Sequence, residues 1–145
     1  DSDAEKIEGA RAASVKGGLR NAEFEVCDLA YQLPAHQGSV ALLDVLQYLE
    51  PAARERLLHG VARCLSPKGK AVMRIGIDDR SWRAAIARSA DRLGHKLRWM
   101  RSSFKSQPTR ETLTYALANA GLNAHFTPLW GNTPFNNYLV VATLR

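Results

Sequence analysis

The sequence is 145 residues long, 46% hydrophobic and 23% charged, with a formal net charge of +6. That size and balance suit one globular domain or a large piece of one, and they exclude the disordered and fibrous classes. No apolar run approaches the roughly 18 residues of a membrane helix and no basic-then-apolar leader suggests secretion, so a cytoplasmic setting is expected.

The opening "DSDAEKIEGAR" reads as helix. Ser2 or Asp3 can cap it, Glu5 stands where the helix dipole favours an anion, and Ile7, Ala10 and Arg11 begin an i, i+3, i+4 pattern. In "KGGLRNAEFEVCDL" Gly17 and Gly18 stop the helix, and alternation through Phe24 and Val26 predicts a strand ending at Asp28. "GSVALLDVLQYL" carries an unbroken apolar run from Val40 to Leu43, which predicts a strand buried on both faces of a parallel sheet. "EPAARERLLHGVARCLSPKGK" places Pro51 in a first helical turn, aligns Leu57, Leu58, Val61, Cys64 and Leu65 on one face, and stops at "SPKG".

"KAVMRIGI" predicts another strand. "WRAAIARSADRLGHKLRWM" sets Trp82, Ile86, Ala90, Leu93, Leu97 and Met100 at helical spacing, and "TRETLTYALANAG" predicts a helix with Leu113, Ala116, Leu117 and Ala120 inward and Gly121 as its stop. The two last runs, "LNAHFTPLW" and "NNYLVVATL", are joined only by "GNTPF". A parallel pair needs a far longer crossover, so these two are expected to be antiparallel neighbours. The chain is therefore expected to be an α/β three-layer sandwich with a mostly parallel sheet ending in an antiparallel hairpin.

Charge is concentrated in one stretch. Between Arg80 and Arg110 there are nine Lys or Arg residues and one acid, Asp91, so the rest of the chain is slightly acidic. Cys27 and Cys64 form no C-x-x-C pair and are expected to be reduced packing residues, and His36, His59, His95 and His125 show no metal-ligand spacing with them.

With this organisation, the sequence resembles the class I S-adenosylmethionine-dependent methyltransferases, which are Rossmann-like, over essentially its whole length. The residues that carry the resemblance are "DSDAEKIEGAR", similar to the acid, cap and helix after the family's second strand; Asp28, Leu33 and Pro34 in "DLAYQLP"; "DVLQYL" from Asp44 to Leu49; "LSPKG"; and the closing hairpin, similar to the family's reversed last strand. The hairpin separates this reading from a nicotinamide-dinucleotide fold, which continues in parallel βα units. No G-x-G-x-G occurs in the sequence, and Gly9, Gly17 and Gly18 fall within or after a helix.

The resemblance therefore implies that residues 1–145 correspond to the C-terminal two-thirds of one such domain, N-terminally truncated before the Gly-rich motif and lacking the family's first two strands. Those strands would come from an upstream segment or another chain, and the fragment itself is expected to be inactive. The family's sheet order, 3-2-1-4-5-7-6, would leave two strand positions unfilled between "EFEVCDL" and "SVALLDV".

The implied cofactor is S-adenosylmethionine. Asp1 matches the acid that accepts from the ribose hydroxyls, a task suited to an acceptor-only carboxylate; a helix cap is the other reading. Asp28 matches the acceptor of the adenine amino group, with Leu29 available to cover the ring; an ordinary turn aspartate is the other reading. Asp44 stands at the carboxyl end of a buried strand, where open α/β sheets place ligands, or else caps the next helix.

Gln47 occupies a position where many relatives carry histidine, so the usual base is absent. Tyr48 nearby is a poor base at neutral pH, and the catalytic residue is left unassigned. "RIGIDDRSWR" and "GNTPFNNYLVVATLR" further resemble small methyltransferases associated with aryl-polyene or fatty-acid-like pathways, implying an acyl or aryl substrate, small or carrier-linked. In the family, elements inserted after the fifth strand cover the substrate. Residues 80–108 are thus expected to form a basic amphipathic insertion or lid, with Arg80 and Arg83 beside Gln47 and Tyr48 at the substrate entrance, steering an acidic substrate. The same positive charge supports a second reading, a non-catalytic basic module that binds nucleic acid or an anionic surface.

Overall fold

The computed structural model describes residues 1–79, 82, 83, 86, 89 and 105–145. The chain divides into two compact units, residues 1–35 and 36–145.

In the first unit, helix α1 spans Ala4–Lys16. Asp3 is its N-cap, its side chain accepting from the Glu5 amide, and Gly17 is the C-cap, followed by Gly18 at φ 68°. The helix buries only Ile7 and Ser14 and leaves Val15 exposed. Its apolar stripe is thin because Ile7 and Val15 are its only large aliphatic residues.

The strand expected over "EFEVCDL" does not form. Residues 22–28 run irregularly, and Val26 is 44% exposed. Their backbone is pinned instead by Arg11, whose Nε and Nη2 donate to the Phe24 carbonyl (3.2 and 2.7 Å), and by Asp1. Asp1 donates its amino group to the Glu25 carbonyl (3.4 Å) and accepts from the Cys27 amide (2.9 Å). Bonding to residues j−1 and j+1 is the step of a parallel ladder, but a single rung leaves the other backbone groups of this run outside any sheet.

The second unit is built on a four-stranded sheet. Strand β1 spans Val40–Leu43, a 3₁₀ turn Leu46–Tyr48, helix α2 Pro51–Cys64, strand β2 Ala71–Gly76, helix α3 Arg110–Asn119, strand β3 Leu122–Pro128 and strand β4 Asn137–Leu144. The sheet order is β1-β2-β4-β3, with β1 and β2 parallel and β4 antiparallel to both of its neighbours. This order matches the 4-5-7-6 portion of the order that the resemblance implied, and the hairpin is antiparallel as its short connection requires.

Register puts Leu42, Met73, Val140 and Phe126 side by side on one face, with Ala71, Ile75, Tyr138 and Ala142 in the adjoining rows. Apart from the half-buried Phe126, these residues are buried, as are Leu57, Leu58 and Val61 of α2 and Leu113 and Leu117 of α3, the spacing predicted for both helices. Cys64 falls at the rim and is only half-buried. Thr109 caps α3 by accepting from the Thr112 amide, and Gly121 takes φ 78° at its end.

The expectation that β1 is buried on both faces is corrected: Leu42 is buried, but Ala41 and Leu43 are exposed, Leu43 at 57%. The alternate face carries Val72, Arg74, Leu139 and Val141 in the same register, and Arg74 is exposed. Hydrophobicity gave no hint of this asymmetry, because the run from Val40 to Leu43 is apolar at every position.

The helix expected over residues 82–100 falls mostly outside the described residues. So do Arg80 and most of the proposed insertion. Trp82, Arg83, Ile86 and Ser89 have helical backbone, and Trp82 is 59% exposed, so the expected inward face does not include it.

Candidate functional site

The first unit holds three of the expected cofactor residues. Because Asp1 pairs with Cys27, its carboxylate lies on a backbone segment beside the one that ends in Asp28. Asp1 Oδ1 accepts from the Asp3 amide (2.9 Å), so the residue helps to start α1. Asp28 Oδ1 accepts from the Ala30 amide (2.9 Å) and its carbonyl accepts from Tyr31 and Gln32, an Asx-type turn that leaves Leu29 half-buried at its tip. Both aspartates therefore do the ordinary capping and turning work, and each uses one carboxylate oxygen for it.

The second unit holds the other expected residues, at the carboxyl ends of β1 and β2. Asp44 follows β1 at φ 57°, a left-handed conformation that strains most non-glycine residues and that aspartate tolerates better than most. Its amide donates to the Arg74 carbonyl (3.0 Å), and its Oδ2 accepts from Arg74 Nε (2.9 Å) and Nη2. This pairing raises the Arg74 guanidinium above its ordinary value, first by hydrogen bonding and then by charge. Both partners are part-exposed, so the pair adds little stability.

The left-handed turn at Asp44 feeds the 3₁₀ turn with Gln47 and Tyr48. The Gln47 carbonyl accepts from the amides of Lys105 (3.1 Å) and Ser106 (3.4 Å), which lashes the 105–107 segment to this turn. Arg54 of α2 secures the same junction from below. It is 7% exposed, donates through Nε to the Leu46 carbonyl (3.1 Å), and donates through Nη2 to the carbonyls of Leu49 (3.3 Å) and Ser106 (2.9 Å). Burial pulls this guanidinium below its ordinary value, with Glu50 opposing.

At the end of β2, Ile77 exchanges bonds with Asn136. The Ile77 amide donates to the Asn136 carbonyl (3.2 Å), and Asn136 Nδ2 donates to the Ile77 carbonyl (2.6 Å). Gln107 packs on Gly76, where a Cβ would stand 2.6 Å from Gln107 Nε2. Among the described residues, four buried side-chain polar atoms have no hydrogen-bond partner: Gln47 Oε1, Gln107 Oε1, Asn136 Oδ1 and Arg83 Nε. An unmet buried group of this kind costs about 1–3 kcal/mol.

Arg83 is half-buried, its guanidinium 4.6 Å from the Trp82 ring centre and 5.5 Å from that of Trp130, which meets Tyr138 edge-on at 5.0 Å. Both guanidinium distances are within the range of a cation–π contact. Burial, then the nearby Asp79 charge, raises the Tyr138 phenol above its ordinary value.

Sequence reasoning missed Arg54, Gln107, Trp130 and Asn136. Asn136 had one usable signal, an asparagine pair immediately before an apolar strand, but the others look like ordinary helix and loop residues. Among the described residues no three His, Cys, Asp or Glu side chains gather as a metal site requires, and no helix is long and apolar enough to cross a membrane.

No protein-family model matches the sequence, and no curated protein matches it. Solved structures do. The O-methyltransferase NcsB1 from neocarzinostatin biosynthesis, solved with S-adenosylmethionine and 2-hydroxy-5-methyl naphthoic acid, is 18% identical, with a TM-score of 0.66 over 96% of this chain and 38% of that one. A SAM-dependent methyltransferase from Methanosarcina mazei is 17% identical, with a TM-score of 0.66 over 100% of this chain and 81% of that one. A pericyclic reaction enzyme, 16% identical, has a TM-score of 0.64 over 96% of this chain and 34% of that one. The chain thus spans about two-fifths of the length of the first structures that it matches.

Proposed function

From a chain that has the class I S-adenosylmethionine-dependent methyltransferase fold, we propose that the protein transfers a methyl group from S-adenosylmethionine to a small or carrier-linked acyl or aryl substrate. The observation that carries this reading is the fold, a sheet of order β1-β2-β4-β3 with β4 antiparallel to both neighbours, in a chain that superposes on methyltransferase structures with TM-scores of 0.66 over 96–100% of its length. Fold alone does not fix a reaction, and a pericyclic enzyme has the same architecture. The donor set adds support.

Asp1 and Asp28, held side by side through the Asp1–Cys27 hydrogen bond, each have a carboxylate oxygen beyond the one that caps a turn, which suits the donor hydroxyls of a ribose and the amino group of an adenine. Leu29 offers apolar surface to the ring, and Asp44 offers an acceptor at the strand end. When bound, the cofactor supplies the methyl group on a sulfonium. The chain's own task is alignment: Gln47, Tyr48, Arg80 and Arg83 position the acceptor, and Gln47 takes no proton where an imidazole would.

The test is calorimetric titration of S-adenosylhomocysteine into the natural full-length protein and its D28N variant. Asparagine keeps the Oδ1 that accepts from Ala30, so the turn and the melting temperature should be unchanged. The second position becomes an NH₂ that faces another donor, so affinity should fall about tenfold, the effect of one lost hydrogen bond. Equal affinity in parent and variant removes Asp28 from the site, and no binding to the parent removes the methyltransferase reading.

A further inference from the structure

We infer that Arg74 is a positioning residue for the cofactor site: it holds Asp44 in its left-handed turn at the end of β1 and leaves Asp44 Oδ1 to accept from the bound cofactor. This deepens the methyltransferase reading and rests on it.

Among the described residues Asp44 is the one non-glycine with a positive φ, 57°. A glycine would take that conformation without a Cβ penalty. The chain instead places an aspartate there and, 30 residues on, an arginine that grips it, so what the position supplies beyond glycine is a carboxylate. Strained residues of this kind persist only where their surroundings over-determine them, and here two kinds of bond do so. The Asp44 amide donates to the Arg74 carbonyl at 3.0 Å, which fixes the backbone against β2. Arg74 Nε donates to Oδ2 at 2.9 Å and Nη2 donates to the same oxygen, which fixes the side chain.

Register explains why Arg74 is the residue that can do this. Arg74 stands opposite Leu43 across the β1–β2 pair, and Asp44 follows directly. The residues beside Arg74 on that sheet face, Leu43, Val72 and Leu139, are aliphatic, so among them only Arg74 can donate to a carboxylate. Both side-chain bonds fall on Oδ2. Among the described residues nothing pairs with Oδ1, and the Asp44 side chain is 34% exposed. A carboxylate with one oxygen engaged in this way accepts further bonds mainly through the other, and this one lies at the carboxyl end of β1, where an open α/β sheet presents ligands. The 3₁₀ turn with Gln47 and Tyr48 starts two residues on, and no side chain caps it at Val45, so its entry follows the Asp44 backbone.

The experiment titrates S-adenosylhomocysteine by calorimetry into the natural full-length protein and its variants R74M, D44G and D44G/R74M. R74M should weaken binding about fivefold, the effect of one hydrogen bond that is no longer aligned. Its melting temperature should stay within about 4 °C of the parent, because both members of the pair are part-exposed. D44G keeps the left-handed backbone but removes the carboxylate, and should weaken binding about tenfold. The double variant should bind like D44G alone, since an arginine that acts through Asp44 then has nothing left to hold.

Parent-like affinity in R74M or in D44G overturns the positioning role. So does a loss on replacing Arg74 that persists in the D44G background, because the guanidinium would then be acting on the ligand through its own charge. A melting temperature in R74M that falls by more than about 4 °C overturns it as well, since Arg74 would then be holding the fold. Each of these results, with the parent still binding S-adenosylhomocysteine, leaves the methyltransferase reading standing. No binding to the parent overturns that reading, and the positioning role with it.

Discussion

Replacing Arg54 with methionine is expected to lower the unfolding free energy by about 3–5 kcal/mol, because several buried acceptors lose one shared donor. The guanidinium meets three carbonyls and the Ser106 hydroxyl from a position that is 7% exposed. Methionine fills most of the volume but leaves those acceptors without a donor, each at about 1–3 kcal/mol before relaxation and water entry recover part of it. For a chain of this length the midpoint should fall by roughly 8–15 °C in a thermal melt. Lysine should recover only part of the loss, since it lacks the planar fork that reaches Leu46, Leu49 and Ser106 together. A drop below about 1 kcal/mol would show that this junction is not held by Arg54.

A second large effect is expected at Gly69. An alanine Cβ there would stand 2.5 Å from the Gly38 carbonyl oxygen and 2.9 Å from the Ser66 nitrogen. These are the acceptor and donor of the 3.2 Å bond that ties the "SPKG" turn to the entry of β1. Both obstacles are backbone, so no side chain can swing aside, and the turn must open along with the Gly38–Leu65 bridge. The cost should be about 2–4 kcal/mol, measurable as a lower urea midpoint at unchanged slope. Gly121 provides the contrast. Nothing lies within 4 Å of its Cβ position and its φ is 78°, so alanine there should cost only about 1–2 kcal/mol of backbone strain. Equal losses at the two sites would mean that the close approach at Gly69 is relieved without opening the turn.

What could be read locally was read from residues close in sequence. The 3.6-residue spacing of Leu57, Leu58 and Val61 and of Leu113, Ala116 and Leu117 marks the buried faces of α2 and α3. Asp3 and Gly17 bracket α1, and the short "GNTPF" connection forces β3 and β4 to be antiparallel. The failed strand at residues 22–28 shows where such reading ends. Alternation at Phe24 and Val26 is compatible with a strand, but a strand also needs a continuous neighbour, and the run has one rung of backbone pairing, with Asp1.

The sequence by itself determined α1, α2 and α3, the caps of α1 and the hairpin, because each depends on steric and hydrogen-bonding preferences within about one turn or one loop. Only the tertiary structure decided that Leu43 faces solvent while Leu42 is buried, that Asp44 turns left-handed against Arg74, and that Arg54 is sunk among carbonyls. It also decided that Gln107 and Asn136 meet the end of β2 with unmet oxygens. Several of these depend on partners 30 to 59 residues away, as in Arg74–Asp44, Arg54–Ser106 and Asn136–Ile77. Which polar atoms lose water, and which find a donor in exchange, is fixed by that packing and leaves no trace in the local pattern of the chain.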